Sequence, residues 1–148
     1  MKPIILLATK EYKKEFVNRF TTVYFETTQE AKNYFNAHIK TKTLYILFLD
    51  VQAGFFAYAR EYSHYANYLE DICVLPDYRR KGYAKLLLDK FIQQAKREQT
   101  KNTIALSSTH KNNTVSIHMY ESYGFKKIGV LKKLHYGIDE IFYGYELL

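Results

Sequence analysis

The feature that most constrains the fold is a change in hydrophobic periodicity near residue 80. The apolar run over residues 68–75 is typical of a buried strand, and it ends at Pro76. From Ala84 onward the apolar residues recur every three or four positions, which predicts an amphipathic helix over about residues 81–98. A strand that leads through a short loop into a long helix begins a crossover unit. The strand after the helix is therefore expected to run parallel to the first strand.

The remaining patterns extend this unit to a mixed α/β sheet. Tyr12, Phe16 and Phe20 recur every four residues and predict a first helix, and Thr27 with Glu30 has the spacing of a capping box that starts a second helix. The predicted order is β-α-α-β-β-β-α-β-α-β-β, with about seven strands, four helices and helices on both faces of the sheet. The other predicted strands are 4–8, 44–49, 53–62, 103–108, 125–134 and 138–147, and the last predicted helix is 113–122.

Length and composition favour a single domain over residues 1–148, since no shift in composition marks a boundary. The single Cys73 excludes an internal disulfide and a cysteine-rich zinc site, and the histidines lack metal-binding spacing, so no metal is expected. The apolar run at residues 4–8 is shorter than that of a signal peptide. No segment reaches the roughly 20 apolar residues that a membrane-spanning helix requires. We therefore expect a cytoplasmic protein that does not enter a membrane.

The net charge of +7 is compatible with a nucleic-acid partner, an acidic substrate or an anionic cofactor. The placement of the basic residues says more than their number. The lysines at 126–127 and 132–133 are typical of solvent-exposed strand faces, whereas Arg79, Arg80 and Lys81 stand together where a loop meets a helix. Nucleic-acid binding predicts basic and aromatic residues interleaved on one face, and one compact basic loop does not match that pattern. Nucleic acid is therefore the least favoured partner.

The basic loop has the composition of a phosphate-binding cradle. The N–H groups in the first turn of a helix have no acceptor within the helix and carry the positive end of its dipole, so an anion binds there. Gly82 allows close approach to the backbone, Ala84 is small, and Arg79, Arg80 and Lys81 add positive charge. A solvated basic turn that only starts a helix could have the same short sequence. The order of strand, loop and long helix is what favours the cradle.

Two motifs together resemble the signatures of the GNAT superfamily of N-acetyltransferases. Arg79, Gly82 and Ala84 are similar to the acetyl-CoA signature (Arg/Gln)-x-x-Gly-x-(Gly/Ala). Residues 113–125 are similar to the second signature, Asn-x-x-(Ala/Ser)-x-x-x-Tyr-x-x-x-Gly-Phe. The predicted order of elements is also that of the family. The resemblance therefore covers nearly the whole chain and implies a GNAT-type fold with acetyl-CoA as co-substrate.

The resemblance also implies roles for individual residues. Backbone groups around Ile72 and Val74 would pair with the pantetheine arm, and Asn113 would contact the coenzyme near the same portion. The backbone amides of residues 80–84 would hold the pyrophosphate. Tyr120 would protonate the departing thiolate, a transfer made feasible by the similar pKa values of a phenol and a thiol, about 10 and 8.5. The implied coenzyme-binding residues are Ile72, Val74, Arg79, Arg80, Lys81, Gly82, Tyr83, Ala84 and Asn113.

An amine acceptor must lose a proton before it attacks, and Glu70 is the candidate base. Strand alternation places Glu70 on the same face as Ile72 and Val74 and directs Asp71 to the opposite face. Tyr68 shares the face of Glu70 and could position a water molecule or the amine. A charge at a strand end that faces solvent would have the same sequence, so a structural role for Glu70 stays open. A water chain could also serve as the base.

Three functions are compatible with these residues. The favoured one is an enzyme that transfers the acetyl group of acetyl-CoA to a primary amine of a small molecule or peptide by direct attack. The second is a regulatory module of the same fold that binds acyl-CoA without turnover, and the third is nucleic-acid binding. For Tyr120, the alternative to a general acid is a core-edge tyrosine, since the chain has 15 tyrosines. The acceptor, the length of the acyl group and the oligomeric state, a homodimer included, stay open.

Overall fold

The computed structural model describes residues 2–98 and 103–148, and the order of its elements is the one that the sequence predicts. The α-helices in these residues are α1 (Lys13–Phe20), α2 (Thr28–Thr41), α3 (Tyr83–Glu98) and α4 (Thr114–Tyr123). The strands are β1 (Ile4–Leu7), β2 (Leu44–Phe48), β3 (Gln52–Ser63), β4 (Ala66–Val74), β5 (Ile104–His110), β6 (Lys126–His135) and β7 (Ile138–Glu146). Short 3₁₀ helices precede α1 and α3, at Lys10–Tyr12 and Pro76–Tyr78.

The strands form one mixed sheet in the order β1-β2-β3-β4-β5-β7-β6. The pairs β1–β2 and β2–β3 are antiparallel. As the crossover pattern predicts, β4 and β5 are parallel, and they pair at Tyr68 with Leu106 and at Leu69 with Ser107. The last hairpin joins the sheet through its second strand, because β7 lies between β5 and β6 and is antiparallel to both. The sequence pattern predicts this hairpin but not which of its strands is inserted.

The chain folds into two compact units. The first unit comprises Met1–Tyr58 and Asp71–Leu87, and the second comprises Ala59–Glu70 and Leu88–Leu148. The boundaries fall within β3, β4 and α3, so each of these elements contributes residues to both units. The single domain expected from the sequence stays a prediction. In the part of the chain that the structure describes, every helix is too short or too polar to cross a membrane.

An aromatic core fills the first unit. Phe16 of α1 lies with its ring centroid 4.9 to 5.2 Å from those of Phe20, Phe35 and Phe55, and all four side chains are fully buried. Phe35 belongs to α2 and Phe55 to β3, so this cluster holds both helices against the strands. Burial of one such side chain stabilises a fold by about 1.5–3 kcal/mol. Cys73 belongs to the same core and anchors the strand that precedes the basic loop.

The start of α2 confirms half of the predicted capping box. The Thr27 hydroxyl accepts a hydrogen bond from the Glu30 N–H at 3.1 Å, which satisfies one of the unpaired N–H groups of the first turn. The Glu30 carboxylate accepts from the N–H of Glu26 at 3.1 Å, one residue before the position that a capping box uses. Thr27 caps the helix as predicted, but the Glu30 side chain bonds to the N–H of Glu26 where a capping box uses that of Thr27.

Candidate active site

The basic loop of the first unit has the backbone shape of an anion-binding turn. Arg80 (φ 60°) and Gly82 (φ 86°) both lie in the left-handed region. Left-handed residues within a tight loop turn successive N–H groups to one side and form an anion-binding concavity. The Leu86 N–H donates to the Gly82 carbonyl at 3.3 Å, so the helical hydrogen bonds begin at Gly82. The N–H groups of residues 83–85 therefore lie in the first turn, where the helix offers them no acceptor of its own.

The backbone at this loop is held in an unfavourable conformation beside open space. A Cβ atom built on Gly82 would meet no atom within 4 Å, although the positive φ itself disfavours a side chain. The left-handed conformation of Arg80 costs a non-glycine residue about 1–2 kcal/mol. Seven other non-glycine residues of the described chain also have a positive φ, so it is the position of this turn directly before α3 that matters. These features fit the predicted phosphate cradle.

Arg79 differs from the two basic residues that follow it. Its Nε donates a hydrogen bond to the Val74 carbonyl at 2.8 Å, which ties the start of the loop to the end of β4. Arg80 and Lys81 are exposed at the surface of the loop. The sequence gives no reason to distinguish the three basic residues. In the structure, Arg79 also braces the junction between β4 and the loop, in addition to supplying charge. The Val74 carbonyl retains a second lone pair, so its predicted contact with pantetheine remains chemically feasible.

Gly54 is a positioning residue that was not predicted from the sequence. A Cβ atom on Gly54 would lie 2.6 Å from the carbonyl oxygen of Cys73 and 3.4 Å from the Cα of Val74. Only glycine therefore allows β3 to approach β4 this closely. The strand segment held in this way carries Ile72 and Val74, the residues predicted to pair with pantetheine. The available signal was a single glycine directly before Phe55 and Phe56 in the predicted strand 53–62.

In the second unit, the strand register assigns residues to two faces of the sheet. Residues opposite each other in paired strands share a face, and so do alternate residues along one strand. Leu69 pairs with Ser107, and Ser107 pairs with Tyr143, so these three residues lie on one face, where all are buried. Glu70 and Ser108 directly follow Leu69 and Ser107. They therefore lie on the opposite face.

Tyr120 of α4 covers the buried face. Its ring centroid lies 5.6 Å from that of Tyr143 and 5.3 Å from that of Phe125, and the residue is 4% exposed. The Tyr143 hydroxyl donates to the Glu121 carboxylate at 2.9 Å, which adds a second contact between α4 and this face. Burial, followed by the hydrogen bond to Glu121, raises the pKa of Tyr143 to about 12. Tyr120 thus packs as a core tyrosine, and its catalytic role stays a prediction.

Asn113 has a structural role at the start of α4. Its Oδ1 accepts a hydrogen bond from the Ser116 N–H at 3.1 Å, a cap typically worth about 1 kcal/mol. Gly124 ends the same helix with φ 120°, and its N–H reaches the Tyr120 carbonyl at 3.2 Å. Two residues of the second motif therefore cap the two ends of α4. Contact of Asn113 with the coenzyme stays a prediction, and its Nδ2 donors are the atoms suited to that contact.

The predicted site residues are divided between the two units. The first unit contains Ile72, Val74, Arg79, Arg80, Lys81, Gly82, Tyr83 and Ala84, and the second contains Glu70, Asn113 and Tyr120. Those of the first unit lie together along the end of β4, the basic loop and the start of α3. In the second unit, the predicted acid lies on α4 and the predicted base on the face of the sheet that α4 does not cover.

A polar network lies on the same face as Glu70. The Ser108 hydroxyl donates to Glu140 Oε2 at 2.6 Å and lies 2.6 Å from the Tyr68 hydroxyl. His135 Nδ1 lies 3.3 Å from Glu140 Oε1. Tyr68 is the one residue of this network that was predicted from the sequence. The other residues come from β5, β6 and β7, and no local pattern indicates that they meet.

The sequence profile described as the Acetyltransferase (GNAT) family matches residues 8–125, which is most of the chain. The chain belongs to the GNAT acetyltransferase family. It is an acetyl-CoA-dependent acyltransferase, as the two motifs imply. A search of the curated proteins finds no match.

Solved structures of similar fold cover this GNAT chain from end to end. A GNAT-family acetyltransferase from Bacillus cereus has a TM-score of 0.83 and 23% identity, covering 100% of this chain and 99% of that one. The structure of yncA from Salmonella typhimurium with its cofactor acetyl-CoA has a TM-score of 0.76 and 17% identity, covering 100% and 95%. The ribosomal-protein-S18-alanine N-acetyltransferase from Escherichia coli has a TM-score of 0.76 and 17% identity, covering 99% and 94%. These similarities confirm the GNAT fold expected from the sequence.

Proposed function

We propose that this GNAT acetyltransferase transfers the acetyl group of acetyl-CoA to a primary amine of a small molecule or peptide by direct attack on the thioester. The observation that carries the proposal is the loop before α3. It combines left-handed backbone at Arg80 and Gly82, first-turn N–H groups and open space beside Gly82. A helix start of this kind binds a pyrophosphate through its backbone, so the coenzyme is held whatever the acceptor is.

The remaining contacts to the coenzyme follow the strand that leads into this loop. Backbone groups of Ile72 and Val74 pair with the pantetheine arm as a neighbouring strand would, and Asn113 contributes its side-chain amide. Gly54 acts indirectly, because it lets β3 approach β4, and Arg79 braces the end of β4 in addition to placing its charge beside the pyrophosphate. Because the backbone holds the pyrophosphate, substitution of Gly82 should lower affinity for the coenzyme more than substitution of any single side chain of the loop.

The transfer itself needs an acid and a base. The amine nitrogen forms a bond to the thioester carbon, the C–S bond breaks, and its electron pair leaves on sulfur. Tyr120 protonates the thiolate, and Glu70 removes a proton from the amine, directly or through water. Each such proton transfer typically contributes roughly 10²–10⁴ in rate. The acid and base roles rest on the motif position of Tyr120 and on the strand position of Glu70.

A titration with matched glycine variants tests the cradle. Gly82→Val and Gly137→Val both place a side chain at a positive φ, 86° and 90°, and neither Cβ meets an atom within 4 Å. The two variants therefore share the backbone penalty, but Gly137 lies between β6 and β7, remote in sequence from the loop. By isothermal titration with acetyl-CoA, Gly82→Val should lose more than about tenfold in affinity, or 1.4 kcal/mol, while Gly137→Val should match the parent protein. Equal affinities would contradict the cradle.

Turnover separates the enzyme from a coenzyme-binding module. Release of free thiol from acetyl-CoA is measured with a panel of small primary amines and short peptides bearing a free amino terminus. Amine-dependent release in the parent protein, reduced in Gly82→Val, supports acetyl transfer. Binding of acetyl-CoA without release for any amine would favour the regulatory module. Parallel titrations with CoA and with a longer acyl-CoA show whether the acyl group contributes to binding.

A further inference from the structure

We propose that Glu140 ends a proton relay that draws a proton from the reacting amine through Tyr68 and Ser108. The proposal rests on the amine acetylation proposed above and adds to it residues that lie outside both family motifs. The whole relay belongs to the second unit. It lies on the face of the sheet that carries Glu70.

The strand register places the three relay side chains on one face. Tyr68 pairs with Leu106, and Leu106, Ser108 and His110 alternate along β5 toward the same side. His110 pairs with Glu140 on β7, so Glu140 faces that side as well. Ser108 and Glu140 are diagonal neighbours across β5 and β7, a spacing that polar side chains can bridge. The relay is thus built into the pairing of three strands.

The hydrogen bonds have a defined direction. A serine hydroxyl has one proton, and that of Ser108 goes to Glu140 Oε2 at 2.6 Å. At the 2.6 Å contact with Tyr68, Ser108 must therefore accept, and the phenol must donate. Both distances lie at the short end of the normal O–H···O range. A phenol oxygen that donates its proton keeps lone pairs, so it is chemically able to receive a proton from nitrogen.

Glu140 has the surroundings of a terminal proton acceptor. It is 9% exposed, and a buried carboxylate needs hydrogen bonds or a paired charge to offset its lost hydration. Ser108 supplies one hydrogen bond, to Oε2. His135 Nδ1 lies 3.3 Å from Oε1, which has no hydrogen-bond partner among the described residues and so keeps a lone pair available for a proton. The His135 side chain beside this oxygen is 44% exposed. The ring centroid of His110 lies 4.8 Å from that of His135. The Nδ1 atom of His110 is buried and has no hydrogen-bond partner among residues 2–98 and 103–148.

The stoichiometry of acetylation requires a second proton acceptor besides Glu70. An alkylammonium group loses two protons on its way to an amide, while the thiolate gains one from Tyr120. Glu70 takes the first proton, before attack. The second leaves the nitrogen of the tetrahedral intermediate for the Tyr68 oxygen as the Tyr68 proton moves to Ser108 and the Ser108 proton moves to Glu140. Glu140 becomes a carboxylic acid at Oε2 and returns to the carboxylate when this proton is released to solvent before the next turnover.

The test compares two relay variants with a matched control on the same strand. Glu140→Gln keeps the shape of the side chain and removes the proton acceptor, and Ser108→Ala removes the link. Glu146→Gln makes the same chemical change at an exposed position of β7. The acceptor is the amine of the panel with the highest turnover, and acetyl-CoA affinity is measured by titration. Both relay variants should lower kcat at least about tenfold, with acetyl-CoA affinity unchanged, and Glu146→Gln should match the parent.

The solvent isotope effect in mixtures of H₂O and D₂O supplies a readout that a structural role would not move. Concerted transfer of several protons curves the plot of rate against deuterium fraction, and the plot should become linear in Ser108→Ala. Ser108→Thr, which retains the hydroxyl, should restore both rate and curvature, so the serine series decides the question even if Glu140→Gln fails to fold. If Ser108→Ala keeps the kcat and the curvature of the parent, the relay is wrong, but the proposed acetyl transfer still stands. A parent protein that binds acetyl-CoA but acetylates no amine would overturn the proposed function and the relay with it.

Discussion

Glu70 and Tyr120 lie on opposite faces of the sheet in the second unit. Tyr120 packs its ring 5.6 Å from that of Tyr143, and Tyr143 shares a face with Ser107 and Leu69. Glu70 follows Leu69 in β4 and is exposed on the other side. In the proposed transfer the amine arrives on one side of the thioester carbon and the thiolate departs on another. Both groups must come within hydrogen-bond reach of the same reacting centre, directly or through water, so the acid and base roles stay predictions that the two kinetic variants below test.

Tyr120→Phe should lower kcat by roughly 10²–10⁴ and leave acetyl-CoA affinity nearly unchanged, because only the donated proton is lost and the buried ring remains. Tyr123→Phe on the same helix is the control. It removes the hydroxyl that donates to Asp89 at 2.8 Å, and it should keep parent-like turnover. Steady-state kinetics and titration with acetyl-CoA give both quantities. A large loss of affinity in Tyr120→Phe would instead identify a binding or packing residue.

Glu70→Gln should lower kcat/KM most strongly at neutral pH. An alkylamine with a pKa near 10 is then almost fully protonated and depends on a base. As the pH rises toward 10, the neutral amine becomes abundant, so the difference between the variant and the parent should narrow. The measurement is kcat/KM from pH 7 to 10, with Glu61→Gln at another exposed position of the second unit as the control. A difference that does not change with pH would remove Glu70 from the role of base.

Gly54→Ala should destabilise the protein by about 1–3 kcal/mol, because the added methyl group would lie 2.6 Å from the Cys73 carbonyl oxygen and force the strands apart. Gly129→Ala is the control. It also adds a methyl group within a strand, and that group would meet no atom within 4 Å. Its effect should stay within about 0.5 kcal/mol. Urea unfolding of both variants measures the difference, and equal stabilities would show that β3 and β4 adjust without cost.

Cys73 should resist thiol reagents in the native state. Burial, opposed by Arg79, raises its pKa to about 12, so at pH 8 only about 10⁻⁴ of the thiol is ionised, against about a quarter of a free thiol. Reaction with a disulfide reagent should therefore be about a thousandfold slower in native protein than in urea. Since Cys73 is the single cysteine, thiol release from coenzyme A can be followed without interference. Rapid labelling of native protein would show that the end of β4 opens readily.

The same raised pKa predicts that folding becomes less favourable at high pH. The folded state keeps the Cys73 thiol protonated up to about pH 12, whereas the unfolded chain ionises it near 8.5 to 9. Stability from this group is therefore present below about pH 9 and is lost as the pH rises toward 12. The free energy of unfolding of the parent should fall more steeply between pH 9 and 11 than that of Cys73→Ala. Parallel curves would contradict the raised pKa.

Features that depend on neighbouring residues were predictable from the sequence. The change of period before α3 predicts the strand, loop and helix, and it also predicts that β4 and β5 are parallel. The spacing of Arg79, Gly82 and Ala84, with the second motif, identifies the family that the profile match confirms. The cap of α2 at Thr27 follows from residue type alone. The element types and the cap follow from interactions within about one helical turn or one strand, and the parallel pairing follows from the handedness of the crossover.

Other features became visible only when distant segments met. The insertion of β7 between β5 and β6, the approach of Gly54 to Cys73 and the bond from Arg79 to Val74 depend on how strands and loops pack. Tyr68, Ser108 and Glu140 come from three strands, and their contact requires a register that alternation within one strand cannot specify. The sequence by itself therefore determined the order of elements and the family. The tertiary structure decided which side chains of different strands share a face, because strand pairing over long separations places them there.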